Sequence, residues 1–293
     1  MSALRETVYR LRLPLFLGGA LLAGGATLLR RILPDGPQDV PLLWLARAGL
    51  VAIALWLVVV LATRGRHPQH EERTVRSPVV GRWLALNSPA STVPSHGTRA
   101  YGQSHAIDLV AEPDDAERPA FGTAGAFRRN EDYPAFGEPV HAMVSGVVVD
   151  SSSWRRDHRA RSNGWGLAYL TIEGMVRELG GPGWIVGNHV TIRTADGTFA
   201  LVAHLQRGSA TVRRGDVVSA GDVIGRCGNS GNSSEPHVHA QLMDRRSLWT
   251  AAGVPMAFAG ISLGDAAEPV DGLPANGEHL MAARTLSPDG DRT

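Results

Sequence analysis

Glu235-Pro236-His237-Val238-His239-Ala240-Gln241-Leu242 is the stretch on which the reading of this chain turns. In a strand, side chains repeat every second residue, so His237 and His239 project from one face. Neutral imidazole nitrogen suits zinc, and one member of such a pair can hold a metal while the other works on bound water or substrate. Alone, the pair fits two solvent-facing histidines on an edge strand equally well. The surrounding sequence decides between them.

Immediately upstream run Gly215-Asp216-Val217-Val218-Ser219-Ala220-Gly221-Asp222-Val223-Ile224-Gly225 and Gly228-Asn229-Ser230-Gly231-Asn232-Ser233-Ser234. Further back stand Gly187-Asn188 before one strand and Ala203-His204-Leu205 at the end of the next. In this order the pieces resemble the lysostaphin/LytM-type zinc endopeptidases, closely over residues 187–242 and more loosely from Gly137-Glu138-Pro139-Val140 to Gly146-Val147. The resemblance implies a mainly β domain, an antiparallel sheet with an open groove and one zinc ion on its floor. It implies a peptidase that cuts the peptide crosslinks of peptidoglycan by attack of a metal-activated water. It makes His239 a metal ligand, His237 and His204 the catalytic histidines, and Asn188 an orienting or substrate-binding residue, with simple turn formation as its plainer reading.

The remaining ligands depart from the family pattern. The family supplies two from His-x-x-x-Asp, whose spacing places both on one strand face. Here Asp108 closes Ser104-His105-Ala106-Ile107-Asp108, so Ser104 falls on the histidine position and strand parity turns His105 away. Asp108 is kept as a ligand, because a carboxylate in an apolar strand needs a partner. His96 in Pro94-Ser95-His96-Gly97-Thr98 is preferred as the third ligand, since Gly97 and Gly102 free that loop to fold back. His105, re-aimed by a bulge, is the alternative. A family member that has lost catalysis, and binds cell-wall material or regulates a partner hydrolase, is the rival function.

Composition bounds the other choices. The chain has 293 residues and a formal net charge of +1, so no global field draws it to nucleic acid. The repeated Gly-Asp-Val also suits a biotinyl or lipoyl carrier fold, but that chemistry needs a lysine and every basic residue here is arginine. Cys227 is the one cysteine, which excludes a disulfide scaffold. Residues 1–64 read as a membrane anchor with two transmembrane helices, 13–29 and 41–62, near the ~20 residues that cross a bilayer. A linker follows at 65–78, then the peptidase domain at 79–264, and a polar, disordered tail at 265–293.

Within the domain, 151–186 is a long insertion with a helix over 164–180. Short apolar runs at 106–110, 140–150, 189–194, 199–205, 216–218 and 238–243 read as strands, and Asp196-Gly197 marks a hairpin. His67, His70, His158 and His279 are expected to be solvated, as are Arg155, Arg156, Arg159 and Arg161; His141 and His189 are expected at core or surface strand positions. Arginines flank the apolar stretches at 5, 10 and 12, at 30 and 31, and at 64, 66, 73 and 76. By the positive-inside rule that pattern puts the domain in the cytoplasm, whereas a wall peptidase belongs outside it.

Overall fold

The computed structural model describes residues 3–283 apart from 66, 124, 265 and 267. A short helix, α1 (Ala3–Arg10), leads into α2 (Arg12–Ile32) and α3 (Asp39–Ala62). The last two run past the apolar cores that announce them, with Arg30 and Arg31 at the C-terminus of α2 and Asp39 opening α3, each charge complementing its helix end. Both are long and apolar enough to cross a membrane. They meet at Gly19 and Gly49. A Cβ at Gly49 would lie 2.4 Å from the Ala23 nitrogen and 2.6 Å from the Gly19 oxygen, so only glycine lets the backbones approach.

Sixteen strands occur among the described residues, twelve of them in one sheet. Its central path uses β1 (Arg73–Val75), β2 (Gly81–Leu86), β3 (Ile107–Ala111), β4 (Gly146–Ser152), β5 (His189–Arg193), β6 (Phe199–Ala203), β7 (Val217–Val218), β8 (Val238–Met243), β9 (Met256–Leu263) and β10 (His279–Ala282). Their spatial order is β1-β9-β10-β2-β3-β8-β6-β5-β4-β7. Neighbours are antiparallel except the β1–β9 pair. The strand β8 lies between β3 and β6, and alternation sorts its side chains. Val238, Ala240 and Leu242 enter the core beside Ile107, Leu109, Val190 and Val202. Burial of each large aliphatic side chain contributes about 1.5–3 kcal/mol. His239 and Gln241, at the alternate positions, face the other way. The β5–β6 hairpin turns at Asp196-Gly197, where Gly197 has φ of 86° and the Thr194 N–H donates to the Thr198 carbonyl at 2.9 Å.

Several expectations need correction. The run at 140–150 is two strands, Pro139–His141 and β4, because the first pairs with Val223–Arg226 in a separate small sheet. Part of the expected linker forms β1 at the sheet edge. The described part of the expected tail carries two strands: Val270–Gly272 pairs with β9, and β10 sits between β9 and β2 with Leu280 fully buried. The polar composition of this segment hides a strand too short for its alternation to register. Residues 284–293 and 265 and 267 of that tail, and Arg66 of the flanking arginines, lie outside the described residues.

The 151–186 segment carries α4 (Gly164–Leu179), capped by the Asn163 side chain accepting from the Gly166 N–H at 3.0 Å, and α5 (Pro182–Val186). Leu167, Met175 and Leu179 of α4 are exposed. His158, expected in solvent, is buried with its ring nitrogens against the Arg159 and Gly231 carbonyls at 3.1 and 2.9 Å. Arg161 is likewise buried and paired with Glu173. His279 lies in β10, 2.9 Å from a Glu112 carboxylate oxygen.

Helix α1 is tied to the sheet. Arg10 is buried, pairs with Glu6 and Asp244, and donates to the Thr250 carbonyl at 2.8 Å. Removing one partner of such a buried pair typically costs about 3–5 kcal/mol.

Cys227 is fully buried, and burial foremost pushes its thiol well above the ordinary value. Iodoacetamide at pH 8 is therefore expected to leave the folded chain unmodified and to alkylate it in denaturant, as read by intact mass. Rapid labelling of the native protein would contradict this placement.

Candidate metal centre

Register builds the site. His239 of β8 lies opposite Asp108 of β3 on one side and Ala203 of β6 on the other, and His204 is the residue after Ala203. Directly opposed residues of antiparallel strands stand about 4.5–5.5 Å apart, close enough for side chains to touch. The Asp108 carboxylate collects the result. Its Oδ1 is 2.8 Å from His239 Nδ1 and 3.5 Å from His237 Nε2, and its Oδ2 is 3.0 Å from His96 Nε2. Asn87 Nδ2 donates to Oδ2 at 2.8 Å. His96, Asp108 and His239 offer ligand atoms that all lie within 4.8 Å of one another.

The loop preceding β3 delivers His96, and its Nδ1 is 3.0 Å from Ser95 Oγ. His105 stays apart, with its Nδ1 against Ser104 Oγ at 3.1 Å. The structure thus brings together His96, Asp108, His237 and His239, with His204 alongside: ring centroids are 4.7 Å apart for His204–His237 and 5.7 Å for His204–His239.

The partners of each ring fix where its proton sits. Carbonyl oxygens only accept, so His204 Nδ1, 2.8 Å from the Ser230 carbonyl, carries a hydrogen and leaves Nε2 as acceptor. His237 Nδ1 faces the Glu235 carbonyl at 2.8 Å with the same consequence. Gln241 Nε2 donates to the Tyr101 carbonyl at 2.9 Å, which turns its Oε1 toward His239 Nε2, also at 2.9 Å. His239 Nε2 therefore bears the hydrogen, and its bare Nδ1 points at a carboxylate oxygen. In the neutral rings the lone pairs of His239 and His237 converge on the Asp108 carboxylate, which is unfavourable unless a proton or a metal cation lies among them. The donor set, two imidazoles and a carboxylate with a further histidine beside it, is one that zinc accepts.

Burial alone would raise the Asp108 carboxyl, but the neighbouring His96 and His237 charges and the hydrogen bonds from His237 and His239 hold it well below the usual range. Burial foremost, then the His237 and His239 charges, drives His204 well below the ordinary imidazole value. For His237 the effect of burial is outweighed by Asp108, and its pKa rises.

His204 has φ of 60°, a left-handed backbone that costs an ordinary residue roughly 1–2 kcal/mol. Hydrogen bonds from its own N–H to Val186 and from the Gly228 N–H to its carbonyl hold it there. The Ser230 carbonyl reaches His204 because Gly187 lets the chains close up: a Cβ on Gly187 would stand 2.5 Å from the Ser230 carbonyl carbon.

Asn188, expected to orient a catalytic group or substrate or simply to form a turn, is engaged with backbone. It is fully buried; its Nδ2 donates to the Arg155 and Leu205 carbonyls at 2.8 and 3.1 Å, and its Oδ1 accepts from the Arg155 N–H at 2.8 Å. It pins the 151–186 segment to the His204 turn. Beside that turn a cavity of about 830 Å3 opens between α4 and Trp154, Arg155 and Trp184, with Gly231 at its edge. The Arg155 guanidinium lies 4.4 and 4.5 Å from the two tryptophan ring centroids.

Two supporting residues have no part in the sequence reading, Asn87 and Gln241. Gln241 was detectable in principle, since it continues the His237–His239 alternation on the same face of β8. Asn87 lies 21 residues from Asp108 and carries no such signal.

Residues 168–250 match the sequence profile of peptidase family M23. The lysostaphin-type resemblance stands on that segment. The matched segment contains His204, His237 and His239, while His96 and Asp108 precede it. Among solved structures the chain is similar to the antimicrobial peptidase lysostaphin from Staphylococcus simulans, with 22% identity over 53% of this chain and 45% of that one and a TM-score of 0.31. It is also similar to the catalytic domain of the prophage-encoded M23 protein EnpA from Enterococcus faecalis, with 24% identity over 50% of this chain and 87% of that one and a TM-score of 0.27. Superpositions this loose carry no residue correspondence, and the chain spans under half the length of that lysostaphin.

Gln241→Leu would strand the His239 Nε2–H and the Tyr101 carbonyl in a buried site. The expected loss is about 1–3 kcal/mol of unfolding free energy, measured by urea titration of the metal-free protein. An unchanged midpoint would mean that this relay does not support the site.

Proposed function

We propose that the chain is a membrane-anchored zinc endopeptidase acting on the peptide crosslinks of peptidoglycan. One observation carries the reading: His96, Asp108 and His239 hold ligand atoms within 4.8 Å of one another in a chain whose 168–250 segment matches M23 peptidases. These three residues hold the ion. When bound there, zinc polarises the scissile carbonyl and makes water a nucleophile at neutral pH.

The chain's own groups do the rest. His237 and His204 keep their Nδ1 hydrogens on the Glu235 and Ser230 carbonyls, so each presents Nε2 to the reacting centre. One accepts the proton released as water attacks and returns it to the departing amine; the other, once protonated, donates to the oxygen of the tetrahedral species. Gln241 holds the His239 ring in the tautomer whose Nδ1 is bare. The cavity bounded by α4, Trp154 and Trp184 receives the peptide flanking the cut bond, which gives the 151–186 insertion the part of a groove wall.

The substrate places the domain on the outer side of the membrane that α2 and α3 cross, against the count of flanking arginines. Protease shaving of intact cells tests this directly. Digestion only after lysis would remove peptidoglycan as substrate.

The rival is a family member that binds wall material or a partner hydrolase without cutting. Ser104 at the usual ligand position favours it, and the fold-back of His96 answers it. Zinc content of the purified chain separates the two. About one zinc per chain is expected, as for a single catalytic site. His239→Ala and His96→Ala should lose most of it, and His105→Ala none. His204→Ala should keep the metal while hydrolysis of purified peptidoglycan falls by a factor of about 100 or more. A chain without zinc after chelator-free purification supports the non-catalytic reading, and zinc retained by His239→Ala sinks the ligand assignment.

A further inference from the structure

Where α2 and α3 meet the sheet domain, a cavity of about 520 Å3 is lined by Arg12, Arg64, Arg99 and His67 and by the rings of Phe16 and Trp56. Among the described residues no carboxylate lines it. Guanidinium groups keep their charge at any ordinary pH, so three fixed cations line one space with no counter-charge among the described residues of its walls. Burial foremost, then the Arg99 and Arg12 charges, lowers the His67 pKa, which marks how close these groups stand.

Arg99 Nη1 is buried and finds no hydrogen-bond partner among the described residues. An unmet buried donor costs about 1–3 kcal/mol, and more when charged. Arg12 uses two of its donors on the Tyr9 and Arg99 carbonyls, at 2.9 and 3.0 Å, which sets its position without neutralising it. The apolar part is built too: the Phe16 and Trp56 rings, one from each long helix, stand 4.8 Å apart between centroids. Cations and an aromatic pair lining one cavity, at the domain-side ends of two membrane-length helices, together match an amphiphile with an oxyanion head.

We propose that this cavity binds the phosphate headgroup of an anionic membrane lipid, its oxygens on Arg99 and Arg12 and its chain along Phe16 and Trp56. Arginine suits the task because its planar fork meets phosphate oxygens two at a time. The proposal is independent of zinc and of peptidase activity, and rests on α2 and α3 spanning a bilayer.

The test uses the full chain in nanodiscs of phosphatidylcholine alone or mixed with phosphatidylglycerol, with retained lipid counted by native mass spectrometry after gentle extraction. Phosphatidylglycerol should be retained in preference to phosphatidylcholine. Arg99→Gln should lower that retention roughly tenfold, as expected for one charge-assisted contact, with the circular-dichroism spectrum and zinc content unchanged. Arg64→Gln, at an exposed residue, should lower it less and serves if Arg99→Gln misfolds. Equal retention of the two lipids, or full retention by both variants, would overturn the site. Displacement by millimolar inorganic phosphate as readily as by added phosphatidylglycerol would overturn the lipid and leave a soluble phosphate. Release of the chain from membranes by alkaline carbonate would remove the anchor and the proposal with it.

Discussion

A carboxylate buried in the middle of the sheet organises this molecule. Asp108 stands on β3 with three imidazoles and an amide turned toward it. An isolated charge so placed costs several kcal/mol, so its surroundings have to supply compensation. That requirement reaches far along the chain. It needs β8 beside β3 in a register that opposes His239 to Asp108, a strand end that carries Asn87 in, and a loop that folds His96 back. The left-handed backbone at His204 and the close passage at Gly187 belong to the same arrangement, since they bring a further imidazole and its carbonyl partner to the edge of the cluster.

Helices α1 and α2 are attached to this site through short stretches of chain. Arg10 is held by Asp244 and the Thr250 carbonyl, just beyond the end of β8, and Arg12 reaches the Arg99 carbonyl, three residues from His96. Tyr101 links the same loop to α4 through Glu178, while its carbonyl anchors Gln241. Strand β8 and the 96–105 loop therefore serve both the candidate metal centre and the docking of the N-terminal helices. The candidate site sits on β3 and β8, both buried at every position, and α4, with its exposed apolar side chains, forms the less supported flank.

Much of this was legible because it is local. Alternation around His237 and His239 gave β8 with its bounds, Asp196-Gly197 gave the hairpin, and apolar runs broken only by Arg47 gave α2 and α3. Expectations failed where pairing is distant or composition misleads. The strands at 270–282 are short and sit among Gly, Pro and Asp, so only their partners β9 and β2 make them strands. His158 looked solvated among arginines, yet carbonyls from two loops bury it.

The sequence by itself determined the strand that carries the histidines, the alternation that puts them on one face, the helices long enough for a bilayer, and the resemblance to M23 peptidases. These follow from periodicity and from motifs contiguous along the chain. Tertiary structure alone decided that His96 rather than His105 meets Asp108, that Gln241 and Asn87 support the cluster, that Asn188 is a clip between loops, and that three arginines share one cavity. Each of those depends on which way a side chain points after segments far apart in sequence have packed, and neither spacing nor composition encodes that direction.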